Sequence, residues 1–229
     1  MDSRFRTGQW GQEEVFDRLF YPTGKENHVG TFIEVGAWDG IDISNTYYLE
    51  KYRGWNGVLV EPIESRATRA SHNRWAPVWK GCVGWADGET EFLHVIGYSE
   101  MLSGINNSIH PRHRERIQKE VADYKQKTEI LKVPCKTLNS LMTEYNLKAV
   151  DLLSLDAQTA ELPILKAYDP SRHKIKAILL DFNGLNTEEI TKWFDTHNYK
   201  LYWKSDRADE VLYINENLPW TWENVNGRN

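Results

Sequence analysis

The chain has 229 residues, which is enough for one substantial α/β domain and too few for two comfortable ones. Its net charge of −5 argues against a general nucleic-acid binder, because neutralising phosphates requires clustered lysine and arginine. The two cysteines form no CxxC pair, so neither a disulfide scaffold nor a thiolate zinc site is expected. We find no apolar run long enough to span a bilayer and no apolar signal region, and we expect a reduced, soluble, cytoplasmic protein without membrane insertion.

Hydrophobic periodicity predicts alternating helices and strands in the first half of the chain. We expect residues 1–28 to form a covering segment over the sheet. The predicted elements are helix 12–21, strand 31–35, a helix capped by Ser44 and Asn45 and stopped by Gly54, strand 57–61, helix 64–73, strand 77–83 and a hairpin strand 91–95.

The second half continues the alternation and closes with two adjacent strands. The predicted elements are a loop from 97 to 107, helices around 113–127 and over 137–145, strand 150–155, a helix through 168, strand 176–180, helix 187–197, and strands 200–204 and 210–214. We expect residues 97–132 to be a loop–helix insertion and a possible lid over the acceptor, within a single domain spanning 1–229. The pattern predicts an α/β fold: a mostly parallel sheet, helices on both faces and a terminal antiparallel hairpin.

A glycine loop follows the first strand, and its composition points to a cofactor. Gly36 and Gly40 allow close approach of the backbone to a ligand, and Glu34 and Asp39 are hydrogen-bond acceptors. Phosphate-binding loops have the opposite character, with N–H groups and lysine around an anion. The acidic loop therefore favours S-adenosylmethionine (SAM), whose sulfonium, amino group and ribose hydroxyls suit carboxylates.

Glu61 ends the second strand roughly 20 residues beyond the glycine loop, where an acidic side chain holds ribose hydroxyls. NAD would satisfy the same residue, but the loop sequence Gly-Ala-Trp-Asp-Gly differs from GxGxxG, and so favours SAM. The simpler alternative is that Glu34 and Asp39 are ordinary turn and cap residues of a βα loop.

Several motifs together resemble those of FkbM-type SAM-dependent methyltransferases. They are the segments 9–13, 32–40, 44–46, 54–62, 102–105, 133–138 and 150–156. The resemblance implies a Rossmann-like class I methyltransferase fold with a seven-stranded sheet. It also implies a SAM site in which Cys82 and Val83 lie near the adenine and Gln9 closes over the cofactor. The remaining implied cofactor-binding residues are Glu34, Gly36, Ala37, Asp39, Gly40, Ser44, Asn45, Glu61 and Pro62.

The chain departs from the family after the fourth long strand. The family usually has Asp-Val-Glu-Gly-x-Glu there, whereas Asp156 to Glu161 contains Gln158 and Thr159 in place of the glutamate and the glycine. Either the substrate geometry differs or catalysis is weakened.

Asp156, Glu161 and Asp181 are the predicted catalytic residues, because adjacent strand ends bring them near the transferred methyl group. Oxygen ligands from Asp156, Asp181 and Asn183 are equally compatible with a divalent metal, and strand-end acids also cap helices. The basic segment 110–116 either binds an anionic acceptor or is a solvated helix start.

The resemblance implies O-methylation of a hydroxyl on a glycan or a hydroxylated small molecule. Two alternatives stay open: an RNA-cap ribose 2′-O-methyltransferase, which would need lysines around Asp156, and a SAM-binding protein without turnover.

Overall fold

The computed structural model describes residues 7–24, 27–181, 185–206 and 210–221. The α-helices are α1 (Gln12–Phe20), α2 (Tyr47–Arg53), α3 (Glu64–Asn73), α4 (Pro111–Asp123), α5 (Leu138–Glu144), α6 (Glu161–Ala167) and α7 (Thr187–Thr196). The strands are β1 (Thr31–Val35), β2 (Asn56–Val60), β3 (Val78–Trp79), β4 (Cys82–Val83), β5 (Gly88–Ile96), β6 (Gly104–Ile105), β7 (Lys127–Lys136), β8 (Ala149–Leu155), β9 (Lys174–Asp181), β10 (Tyr199–Lys204) and β11 (Glu210–Asn215). Among the residues described, no helix is both long and apolar enough to cross a bilayer.

Seven strands form the main sheet in the order β10-β11-β9-β8-β1-β2-β3. The strands from β9 to β3 pair in parallel, and β11 is antiparallel to both of its neighbours. The predicted fold class is therefore confirmed, including the closing hairpin. Strand order reverses between β1 and β8, and ligands bind beyond the carboxyl ends of such strands.

Side chains of the central strands alternate between two apolar cores. Phe32 and Leu152 face a core that includes residues of α1 and α2, whereas Ile33 and Leu153 face one that includes residues of α5, α6 and α7. Because neighbouring residues of a strand point to opposite faces, a sheet covered by helices on both sides needs apolar residues at successive positions. This explains why Leu152 and Leu153, at successive positions of β8, are both apolar and buried.

A second sheet, with the order β4-β7-β5-β6, was not predicted. The expected strand 77–83 is two short strands, of which β3 joins the main sheet and β4 joins the second. The expected hairpin strand 91–95 is the longer β5, which pairs with β6 and β7 instead of with the strand before it. These two expectations were wrong because the pairing partner, β7, lies far along the chain.

Two helix boundaries also differ from the prediction. The helix expected around 113–127 ends at Asp123, and residues 127–136 form β7, so the segment 97–132 contains strand as well as loop and helix. The N-cap of α2 is Thr46 instead of Ser44 or Asn45. Ser44 still serves the first turn, since its Oγ accepts a hydrogen bond from the Tyr47 N–H at 3.1 Å.

Candidate active site

The carboxyl ends of β1 and β8 meet at the point where strand order reverses. The Asp156 N–H donates to the Val35 carbonyl at 3.2 Å, and the Gly36 N–H donates to the Val60 carbonyl at 3.1 Å. Gly36 has a φ of +81°, and a Cβ placed there would lie 2.5 Å from the Asp156 carbonyl oxygen. Only glycine permits this close approach of the two loops.

Two cavities lie on either side of this junction. We call them the apolar cavity and the polar cavity. They share the wall formed by Val35, Gly36, Ile43, Met101, Asp156 and Gln158. The apolar cavity is further lined by Trp38, Val60, Glu61, Pro62, Ile63, Cys82, Val83 and Phe92. The polar cavity is further lined by Gln9, Glu34, Asn45, Arg116, Ser154, Asp181 and Glu210.

Glu61 is the buried carboxylate of the apolar cavity, with 4% of its surface exposed. One of its oxygens accepts the Trp38 N–H at 2.9 Å and the other accepts the Ile63 N–H at 2.8 Å. Burial raises its pKa to about 8, against the lowering effect of these two bonds. The two fixed oxygens suit a ligand that presents neighbouring hydroxyl donors.

A cation stacks on a tryptophan that lines the apolar cavity. The guanidinium of Arg66 lies 3.8 Å from the ring centroid of Trp38, and it forms an ion pair with Glu100. Trp38 and Glu100 both line the cavity. Trp38 adopts a φ of +52°, which turns its backbone N–H toward Glu61 and its ring toward Arg66.

Glu34 is held by the loop that follows β1. Its carboxylate accepts hydrogen bonds from the Asn45 N–H at 2.7 Å and from the hydroxyls of Ser44 and Thr46 at 2.9 and 2.5 Å. The buried guanidinium of Arg74 lies 3.4 Å away. These contacts fix Glu34 at the wall of the polar cavity.

Carboxylates dominate the polar cavity. Asp156, Asp181 and Glu210 line it, and Asp181 pairs with Glu210 in the register of β9 and β11. Burial raises the pKa of Asp156 to about 7, and the charges of Glu161 and Glu210 add to this effect. Arg116 is the only lysine or arginine among the described residues that line this cavity.

Glu161 is the first residue of α6, after the loop that carries Asp156, and it lines neither cavity. It is buried, and its Oε1 accepts the N–H groups of Ala157 and Thr159 at 2.8 and 3.2 Å. Burial raises its pKa to about 7. It orders the loop that carries Asp156.

Four of the predicted cofactor residues line neither cavity: Ala37, Asp39, Gly40 and Ser44. Asp39 accepts hydrogen bonds from the Ile41 and Asp42 N–H groups at 3.0 and 2.9 Å, as a turn residue does. The other predicted cofactor residues line one cavity or both: Gln9, Glu34, Gly36, Asn45, Glu61, Pro62, Cys82 and Val83.

The described residues contain no group of three or more His, Cys, Asp or Glu side chains arranged to hold a metal ion. Asn183, which the sequence suggested as a metal ligand, lies outside those residues.

Sequence reasoning did not identify Ile43, Phe92 or Arg66 as parts of the site. Ile43 separates the two cavities and has a φ of +56°, which is rare for a β-branched residue. No local sequence pattern predicts a positive φ at an isoleucine, so the role of Ile43 could not be inferred from the sequence.

Comparison with known protein families now identifies the chain. The model described as "Methyltransferase FkbM domain" matches residues 34–201, which is more than half of the sequence. The chain belongs to the FkbM methyltransferase family. Membership implies SAM as the methyl donor. A search among curated proteins found no match.

Solved structures of methyltransferases are similar to this FkbM chain in outline only. Methyltransferase FkbM from Methylobacillus flagellatus KT is 12% identical, with a TM-score of 0.49 over 87% of this chain and 47% of its own. The chain thus spans about half the length of that protein. The N-terminal domain of human METTL16 in complex with SAH is 10% identical, with a TM-score of 0.43 over 92% of this chain and 68% of its own.

The residues that line the two cavities of this FkbM chain fit the cofactor that the family implies. Gly36 lacks the Cβ that would collide with the Asp156 carbonyl at the junction of the cavities. The buried Asn45 Oδ1 atom has no hydrogen-bond partner among the described residues, and the Asn45 side chain lines the polar cavity. An unpartnered acceptor close to Glu34 favours a ligand group that donates hydrogen bonds or carries positive charge.

Proposed function

We propose that the protein transfers a methyl group from SAM to a hydroxyl group of a glycan or a hydroxylated small molecule. The observation that carries this proposal is the junction at Gly36 and Asp156, where the apolar and polar cavities meet. The adenosine part would occupy the apolar cavity, with Glu61 at the ribose and with Cys82 and Val83 at the adenine. The acceptor would enter the polar cavity.

The lining of each cavity supports this division. The apolar cavity offers aliphatic and aromatic walls together with the carboxylates of Glu61, Glu100 and Asp156, which suits a nucleoside. The polar cavity offers Asp156, Asp181 and Glu210 with a single arginine, which suits a polar acceptor with many hydroxyls. This excess of carboxylates disfavours a polyanion such as capped RNA, whose phosphates need several cations.

SAM supplies an electrophilic methyl group on a sulfonium. The residues of the chain then position the acceptor oxygen and remove its proton. Asp156 is the proposed base, because it lies at the junction and burial raises its pKa to about 7. Asp181 and Glu210 would orient the acceptor, and Glu161 would hold the loop of Asp156 in place.

The cofactor site is tested by calorimetry with S-adenosylhomocysteine (SAH). Glu61→Ala should weaken SAH binding by about 1–3 kcal/mol, since it removes the hydrogen bonds between the ribose hydroxyls and a buried carboxyl group. Asp39→Ala is the matched control, because it also removes a carboxylate from a loop near the cavities, yet Asp39 lines neither cavity. Equal affinity of the wild type and Glu61→Ala would contradict the placement of the cofactor.

The acceptor is then sought with methyl-labelled SAM and a panel of sugars, sugar acids and phenols. Product with a hydroxylated compound supports the proposal. SAH binding without product for any acceptor would favour a binding protein without turnover. One contact favours that second function: the Gln158 amide donates to Asp156 Oδ1 at 2.8 Å, where the family usually has a glutamate.

A further inference from the structure

Thr159 has a backbone conformation that its side chain disfavours. Its φ is +83°, in the left-handed region that glycine favours and β-branched residues rarely adopt. The FkbM pattern usually has glycine at this position, so the threonine brings strain that a glycine would avoid. Strain of this kind persists only where surrounding contacts hold it in place.

The contacts that hold Thr159 come from its hydroxyl. Thr159 is buried, and its Oγ1 donates a hydrogen bond to the Ser108 carbonyl at 3.0 Å. The same oxygen accepts a hydrogen bond from the His110 N–H, also at 3.0 Å. A glycine or an alanine would make neither bond, so the hydrogen-bonded link between residues 108–110 and the loop after β8 depends on the threonine.

Residues 108–110, which Thr159 holds, lead directly into α4. His110 is the N-cap of that helix, where its Nδ1 accepts the Arg112 N–H at 3.2 Å, and Pro111 is the first helical residue. Further along, Arg114 donates to the Asn106 carbonyl at 2.7 Å. The segment is therefore fixed at its entry by Thr159 and braced internally by its own side chains.

α4 carries Arg116 to the wall of the polar cavity, while Asp156 lies on the loop that Thr159 belongs to. The side chain of Arg116 is 54% exposed and pairs with Glu120 on its own helix, so its position depends on where α4 is docked. Gly104, which precedes α4, also approaches this loop: a Cβ there would lie 3.3 Å from Gln158.

We propose that Thr159 is a positioning residue whose hydroxyl fastens the start of α4 to the loop of Asp156. The two sides of the polar cavity are thereby held at a fixed separation before any acceptor binds. The docking of α4 stands on the contacts alone, and its consequence for the acceptor rests on the proposed function.

Hydrogen exchange read by mass spectrometry tests the docking, with wild-type protein and the variants Thr159→Val, Thr159→Ser and Thr159→Gly. Valine keeps the branched shape without the hydroxyl, serine keeps the hydroxyl, and glycine removes both the hydroxyl and the backbone strain. We expect exchange in residues 106–118 to accelerate about five- to thirtyfold in the valine and glycine variants, and to stay within about twofold of the wild type in the serine variant.

The glycine variant keeps the test decisive if valine prevents folding, because glycine suits the native φ. The proposal is overturned if residues 106–118 exchange at the wild-type rate in Thr159→Gly, or if the serine variant opens them as glycine does. Acceleration spread evenly over the chain would also overturn it, since that result indicates general destabilisation. None of these readouts needs methyl transfer, so they stay interpretable if the proposed function fails.

Discussion

Replacing Glu61 with glutamine should remove a specific pH dependence of stability. The carboxyl is buried, and its pKa of about 8 in the folded protein stands well above its ordinary value of 4.5. A group with a raised pKa binds its proton more tightly in the folded state than in the unfolded state. Its contribution to stability is therefore fully present below about pH 4.5 and is lost as the pH rises to about 8.

The size of the effect follows from the same two values. Each unit of pKa difference is worth about 1.4 kcal/mol, so the free energy of unfolding should fall by about that amount per pH unit in this window. Between about pH 5.5 and pH 8 the wild type should lose about 3 kcal/mol relative to Glu61→Gln. Asp156 and Glu161 also have raised pKa values, but they are present in both proteins and cancel in the difference.

The assay is urea unfolding of the wild type and Glu61→Gln at about six pH values from roughly 5.5 to 9, followed by far-UV circular dichroism. The unfolding free energy of the wild type minus that of Glu61→Gln is plotted against pH, and it should fall as the pH rises. A flat difference would refute the reasoning, because it would mean that the pKa of Glu61 is not raised in the folded protein. If the backbone N–H bonds outweighed burial, that pKa would lie below its ordinary value of 4.5, and the difference would change only at pH values below the range of the assay.

Three further variants test other parts of the site. Gly36→Ala should lower the free energy of unfolding by about 2–4 kcal/mol in urea titrations, because the added Cβ would collide with the Asp156 carbonyl. Gly54→Ala is the control: Gly54 has a similar φ but open space around the added Cβ, so the free energy of unfolding should fall by only about 1 kcal/mol. Arg74→Met should cost about 3–5 kcal/mol in the same assay, because it leaves the buried carboxylates of Glu34 and Glu50 without their cation; a cost under about 1 kcal/mol would contradict this role. Asp156→Asn should reduce turnover at least about a hundredfold while SAH affinity in calorimetry changes less than about twofold, and a parallel loss of both would make Asp156 a cofactor-binding residue.

Local patterns in the sequence were sufficient to predict the main sheet and the strand ends that form the site. Alternating strands and helices, an acidic glycine loop after β1 and an acid after β2 are short-range features, because each depends on neighbouring residues. Parallel strands place their carboxyl ends at one edge of the sheet, so Gly36, Glu61 and Asp156 were correctly expected to converge there. The segment 150–155 was likewise expected to be a strand, and β8 is buried over most of its length.

The second sheet could not be predicted, because its partners are distant in sequence. In β7 only Val133 and Cys135 are fully buried, so this strand has little apolar pattern of its own. It is a strand because β5 pairs with it along its length, for example Phe92 with Leu131. Pairing between such distant segments leaves no local signal.

The sequence alone therefore determined which strand ends line the two cavities, since strand periodicity and strand direction are properties of the chain itself. Only the tertiary structure decided which side chains at those ends line a cavity. Glu61 points into a cavity, whereas Asp39 folds back onto its own loop, because left-handed residues such as Trp38 and Gly40 set the path of the backbone between them. Those conformations are held by contacts with distant residues such as Arg66 and Arg74, which become neighbours only after folding.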